Sequence, residues 1–209
     1  MKLKDIKLSN VPLNSYQKYM LIDNPNEQDL LKCFLGLTQP ELNKLPSKDI
    51  DDYLNQINNL LNLDHELIRT FKLNGIEYGF IPKLDDITYG ENLDVTKYIG
   101  EYGSMHKAMA VLFRPIKQKI RDQYLIEEYT GSYVYAEKFK DIPLDVVFGA
   151  IVFFYNLTNE LLNSTLKYLE QQIQQDSQLQ ASLQESGVDI QSSIRSAKET
   201  LQDLIPSVS

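Results

Sequence analysis

Two adjacent aspartates, Asp85-Asp86, raise the question of acid–base chemistry. Paired carboxylates can divide donation and acceptance of a proton when their surroundings push their pKa values apart. That division needs perturbing partners, and no His, Lys or Arg stands at a telling spacing around this pair. The pair also precedes Thr88-Tyr89-Gly90-Glu91, whose Thr and Glu spacing is that of a capping box. Aspartates collect at such junctions because they cap helices. Asp49, Asp51 and Asp52 fan around a predicted helix start, without the spacing or the glycine of a calcium loop. Charge stabilisation of the helix dipole explains them.

The remaining reactive side chains are few. The sequence holds two histidines, His65 and His106, and one cysteine, Cys33. No second His or Cys lies at ligand spacing, so a structural zinc site is not indicated. His106, beside Lys107 and off the main apolar stripe of its helix, reads as a surface or interface residue, and His65 falls in a separate helical region. Cys33 sits in the apolar run LLKCFLGL and reads as a buried structural thiol. A lone cysteine excludes an internal disulfide, as suits a reducing compartment. No phosphate-binding loop, dinucleotide fingerprint, nucleophile elbow or zinc-protease motif occurs. The expectation is therefore a protein without catalytic residues, cofactor or metal.

Net charge is −8, which disfavours nucleic acid as a partner, since phosphate contacts need a basic stripe. Lys2, Lys4, Lys7 and Lys18 form a local exception and read as a solvated arm. No secretory signal follows the basic N-terminus. The most apolar run, Val146 to Leu157, is too short to span a bilayer and reads as a core helix.

The elements that position these residues are mostly helical. Ile6, Leu8 and Val11 suggest a strand or arm, and Leu13-Asn14-Ser15 a cap for a short helix. Glu27 to Leu35 has an apolar face of Leu30, Leu31 and Phe34 and is closed by Gly36. Thr38, Pro40 and Glu41 start another turn, and Pro46-Ser47 a helix bearing Ile50, Tyr53, Leu54, Ile57, Leu60 and Leu61. Asn74-Gly75 between two β-rich runs predicts a type I′ hairpin. Met105, Ala108, Met109 and Leu112, widened by Ala110 and Phe113, form an apolar helix ending at Arg114-Pro115. Ile116 to Arg121 reads as a basic connector, Tyr124 to Tyr129 as a strand, and Tyr133 to Lys140 as a short helix.

Pro143 then launches the longest helix, in which Gly149 and Ala150 invite close approach by another element. Past Asn156 it is one-sided, with Leu161, Leu162, Leu166, Leu169 and Ile173 at helical steps. A Gln-rich stretch follows, and then an amphipathic segment with Ile190, Ile194, Ala197, Leu201, Leu204 and Ile205 on one face. The expected fold is α+β and predominantly α-helical, with a small β-hairpin or sheet packed on helices and a long C-terminal helix. It divides into an arm and helical lobe (1–69), an α+β core (70–170), and a linker with a final amphipathic helix (171–209). The stretch from Phe71 to Ile116 is its folding centre. The candidate partner-binding residues are Leu161, Leu166, Leu169, Ile173, Ile190, Ile194, Leu201 and Leu204, because an apolar helical face without a core must dock elsewhere.

The succession VPLNSYQKYM, CFLGLTQPELNKLPSKDID, FKLNGIEYGFIPKLDDITYGENLD, MHKAMAVLFRPI and IPLDVVFGAIVFFYNLTNELL resembles morphogenesis proteins of tailed bacteriophages, above all those of Bacteroides and crAss-like phages. These are similar to tail assembly chaperones or small virion structural proteins. The resemblance covers most of Ile6 to Leu169 and brings no catalytic residues with it. It implies a non-enzymatic protein that binds tape-measure, tube or connector proteins, or further copies of itself, in the host bacterial cytoplasm during assembly. The alternative it implies is a connector, ring or tail-associated component of the virion. A carboxylate-dependent enzyme built on Asp85 and Asp86 ranks third.

Overall fold

The computed structural model describes residues 5–121 and 123–175. The fold is α+β and mostly helical, with one four-stranded antiparallel sheet. Four helices come first: α1 (Leu13–Met20), α2 (Glu27–Leu35), α3 (Gln39–Leu42) and α4 (Ser47–Leu61). The hairpin β1 (Thr70–Leu73) and β2 (Ile76–Phe80) follows, then α5 (Tyr89–Tyr98) and α6 (Met105–Leu112). Strands β3 (Phe113–Ile120) and β4 (Gln123–Ile126) complete the sheet in the order β1-β2-β3-β4. The short α7 (Tyr133–Ala136) and the long α8 (Leu144–Gln175) close the described chain. The chain falls into two units, one ending at Ile151 and one beginning at Val152.

Local chemistry accounts for most boundaries. Asn26 accepts from the backbone N–H groups of Gln28 and Asp29 to start α2, and Gly36 ends that helix at φ +64. Such a left-handed cap is open to glycine without steric cost. Asn74 and Gly75, at φ +51 and +80, make the type I′ turn of the β1–β2 hairpin. Thr88 and Glu91 form their reciprocal capping box at the head of α5.

Three expectations need correction. The connector from Ile116 to Arg121 is the outer half of β3, because α6 stops at Leu112 and passes into strand without a loop. Pro115 does not break β3, since it lies where pairing changes hands. Phe113–Pro115 face β2, while the chain from Ile116 onward faces β4 past a bulge between Ile116 and Gln118. Proline is tolerated in sheets at such irregularities.

From Leu8 onward the N-terminal segment is not a free arm, while Lys2 and Lys4 lie outside the described residues and Lys7 and Lys18 are exposed. Leu8 and Val11 are buried, and Val11 to Leu13 is pinned beside the start of α8: Leu13 N–H donates to the Ile142 carbonyl and Leu144 N–H to that of Val11, each at 2.9 Å. This pairing sets the start of α1 at Leu13 rather than at an Asn14 or Ser15 cap. Finally, Tyr133 to Lys140 is a turn of α-helix followed by a 3-10 turn at Lys138–Asp141.

The core forms where the sheet meets α6. Every residue of α6 but Lys107 is buried, as expected of a helix that is apolar nearly all round. Against it the sheet presents an aromatic layer. Phe71 stacks on Tyr78 at 5.5 Å between ring centres, Phe113 meets Phe71 and Phe80 edge-on at 5.2 Å, and Phe139 meets Tyr78 at 5.0 Å. Such edge-to-face pairs each add about 0.5–1.5 kcal/mol beyond the area they bury.

Leu144, Val146, Val147 and Ala150 bring the first turns of α8 into this core. Gly149 does what its position predicts: a Cβ there would overlap the backbone carbonyl of Glu66. A backbone atom cannot swing aside as a side-chain end can. Gly149→Ala is expected to lower the stability of the first unit by about 1–3 kcal/mol, measured by chemical denaturation. Unchanged stability would show that the loop at Glu66–Leu67 yields freely.

Candidate functional site

A cleft of about 1170 Å³ lies between the outer sheet and the segment that leads into α5. Ile81, Pro82, Leu125 and Ile126 give it apolar walls, and Arg69, Lys83, Glu127 and Glu128 stand around it. At its base lies an ion pair between Arg114, the second residue of β3, and Glu91 of α5. Arg114 Nη2 approaches Glu91 Oε1 to 2.5 Å, and the two side chains are 8% and 4% exposed.

The same carboxylate accepts the Thr88 backbone N–H through Oε2 at 2.7 Å. One buried acid therefore caps a helix and neutralises an arginine. The Tyr129 ring lies 5.7 Å from the guanidinium carbon, and its hydroxyl donates to Asp94. Tyr135 likewise donates to Glu127. Burial, then the hydrogen-bonded carboxylate, pushes both phenols up, Tyr135 to about 12. They stay protonated at neutral pH and act as fixed donors. The arrangement holds groups in place rather than readying any of them to take a proton.

A second buried polar cluster joins α1 to α6. Gln17 Nε2 donates to the Tyr102 carbonyl at 2.5 Å and lies 3.1 Å from His106 Nδ1, which serves as the acceptor. His106 is thus a buried core residue, not the surface residue its place beside Lys107 suggested. Burial foremost, then the charges of Lys140 and Lys107, lowers its pKa, so it is held neutral. His65, in the irregular segment after α4, packs against Phe148 at 5.1 Å; burial lowers its pKa as well. Cys33 is buried, and burial pushes its thiol up to about 12. A thiol so placed is a poor nucleophile.

Of the two residues singled out for acid–base chemistry, Asp86 is exposed at the cleft rim, with Lys83 3.9 Å away; Asp85 shares its 3-10 turn, and its side chain lies outside the described residues. Among the described residues no three His, Cys, Asp or Glu side chains gather as a metal cluster. Of the candidate docking residues, Leu161, Leu166, Leu169 and Ile173 have their backbone in α8, with side chains outside the described residues. Ile190, Ile194, Leu201 and Leu204 lie outside the described residues altogether. No helix among the described residues is long and apolar enough to cross a membrane. Comparison with protein-family models, curated proteins and solved structures finds no match.

Two functional-looking side chains were missed from sequence. Arg114 follows an apolar helix directly, and a charge at the end of such a run signals a buried pair only when its partner is known. Glu91 has a complete local role in the capping box, which hides its second one. Removing one partner of a buried ion pair strands the other charge, at a cost of about 3–5 kcal/mol. Glu91→Ala is therefore expected to destabilise by about that much, the lost cap included. The double variant Glu91→Gln, Arg114→Met should recover most of the loss, because no uncompensated charge remains. Denaturant titration of the three proteins tests this, and equal destabilisation by single and double variants would contradict it.

Proposed function

We propose that the protein is a non-enzymatic phage protein that binds tail or other virion proteins during assembly, in the manner of a tail assembly chaperone. The observation that carries this reading is the change in α8. Its first turns are buried, whereas Tyr155 and Tyr168, in the unit beginning at Val152, are 38% and 60% exposed. Large aromatic side chains exposed along a helix offer contact area for another chain, and tyrosine suits such contacts.

The side chains with reactive potential support the non-enzymatic part. Cys33 is sealed, His106 is engaged by Gln17, and the buried carboxylate of Glu91 is doubly occupied. The sequence resemblance to tailed-phage morphogenesis proteins supplies the context, with the host cytoplasm during assembly as the place of action. The second reading is a virion component such as a connector, ring or tail-associated protein. The same exposed faces favour it, because permanent neighbours would cover them.

Co-expression with tape-measure, tube and connector proteins, together with mass spectrometry of purified virions, separates the readings. The chaperone reading expects a soluble complex with at least one of them and no copies in mature particles. A fixed stoichiometric copy number in the virion would replace it with the structural reading. Neither a complex nor virion copies would contradict both.

A further inference from the structure

The β3–β4 hairpin has a feature that the proposed role does not use. Beyond the bulge, Gln118 pairs with Leu125 and Ile120 with Gln123, so these four side chains share one face. All four are exposed and line the cleft, and Ile120 and Leu125 are 62% and 61% exposed. They lie diagonal to each other across the pair, close enough to form one apolar spot.

The charge of the hairpin runs against that of the chain. From Ile116 to Ile126 it carries Lys117, Lys119 and Arg121 against a single acid, Asp122, in a protein of net charge −8. Lys119 bonds Glu77 at 2.8 Å. Among the described residues Lys117 and Arg121 have no carboxylate partner. Arg121 also sits at the turn with φ +56, a left-handed conformation that side chains other than Gly, Asn and Asp rarely adopt.

β4 is an outer strand of the sheet, and its sequence, Gln123-Tyr124-Leu125-Ile126, contains no charge. Outer strands are normally guarded by charged side chains or proline. The opposite edge, β1, carries Lys72, whereas β4 lacks such a guard.

We propose that the outer edge of β4 and the Ile120–Leu125 face bind an extended, acidic segment of a partner protein as an added strand. Backbone hydrogen bonds along β4 supply its register, Ile120 and Leu125 receive its alternate apolar side chains, and Lys117 and Arg121 meet its carboxylates. The carboxylates facing the cleft do not cancel this attraction. Glu127 is held by Tyr135, Asp86 lies beside Lys83, and the charge of Glu128 is offset by that of Arg69, which lines the same cleft. A protein segment fits better than nucleic acid, because only a peptide backbone matches the donors and acceptors of a strand edge. This inference rests on the protein-binding reading above and names the chemistry of the partner.

The test uses the full chain and a fluorescein-labelled hexapeptide, acetyl-Val-Glu-Ile-Glu-Val-Glu-amide, followed by fluorescence anisotropy. A peptide with Lys in place of Glu and a 20-base-pair DNA duplex serve as comparisons. Leu125→Glu and Arg121→Gly are the variants; the first removes the apolar contact and repels the acidic peptide, and glycine suits the left-handed turn, so the second keeps or improves folding while removing the cation. Expected is preference for the acidic peptide, weakened about tenfold by each variant, a difference of about 1.4 kcal/mol, with melting temperature preserved in Arg121→Gly. Equal binding by wild type and Arg121→Gly, or preference for the lysine peptide or for DNA, overturns the proposal. Virion-protein complexes that survive both variants would also refute this surface while leaving the assembly role standing. Peptide binding without any virion-protein complex would do the reverse.

Discussion

One carboxylate ties the helical and sheet parts of the first unit together. Glu91 takes the Thr88 backbone N–H on one oxygen and the Arg114 guanidinium on the other, with both side chains almost wholly buried. The first bond fixes where α5 begins. The second fixes where β3 lies relative to it. A buried charge is tolerated only when fully paired, so neither element can shift far without stranding the other's charge. Among the described residues Arg114 Nε is buried without a hydrogen-bond partner, which adds to the sensitivity of this junction.

Everything around the pair follows from α6 running straight into β3. The helix is buried on almost every side, and the strand carries Phe113 into the aromatic layer and Arg114 to Glu91. The buried polar side chain that α6 brings inward, His106, is matched by Gln17. The same matching removes these groups from chemistry: a neutral histidine engaged as an acceptor, phenols locked as donors and a sealed thiol are parts of a scaffold. The β4 edge is a surface that this scaffold leaves over for the binding proposed above.

Local signals in the sequence carried much of this architecture. Asn74-Gly75, the Thr88–Glu91 box, Gly36 and the spacing from Glu27 to Leu35 act through neighbours in the chain, so they are readable without the fold. Gly149 was also legible, because a glycine in an apolar helix has few uses other than close approach. What could not be read depends on partners far away in sequence. The strand after Leu112 looked like a basic connector because Lys117, Lys119 and Arg121 mask an alternation that only pairing with β4 reveals. His106 looked exposed because its partner, Gln17, is 89 residues away. Arg114 and Glu91 are joined for the same reason, and the pinning of Val11 to Leu13 beside Ile142 and Leu144 has no local signature at all.

The α6–β3 passage and its Glu91–Arg114 tie form the rigid centre on which the other elements of the first unit hang. Native-state hydrogen exchange of the full chain, read peptide by peptide, tests it most directly. Amides from Met105 to Arg114 should exchange only through global unfolding and be the slowest in the protein, with α4 and the outer half of the β3–β4 hairpin opening sooner. Exchange of Met105 to Arg114 as fast as that of α4 would contradict the account.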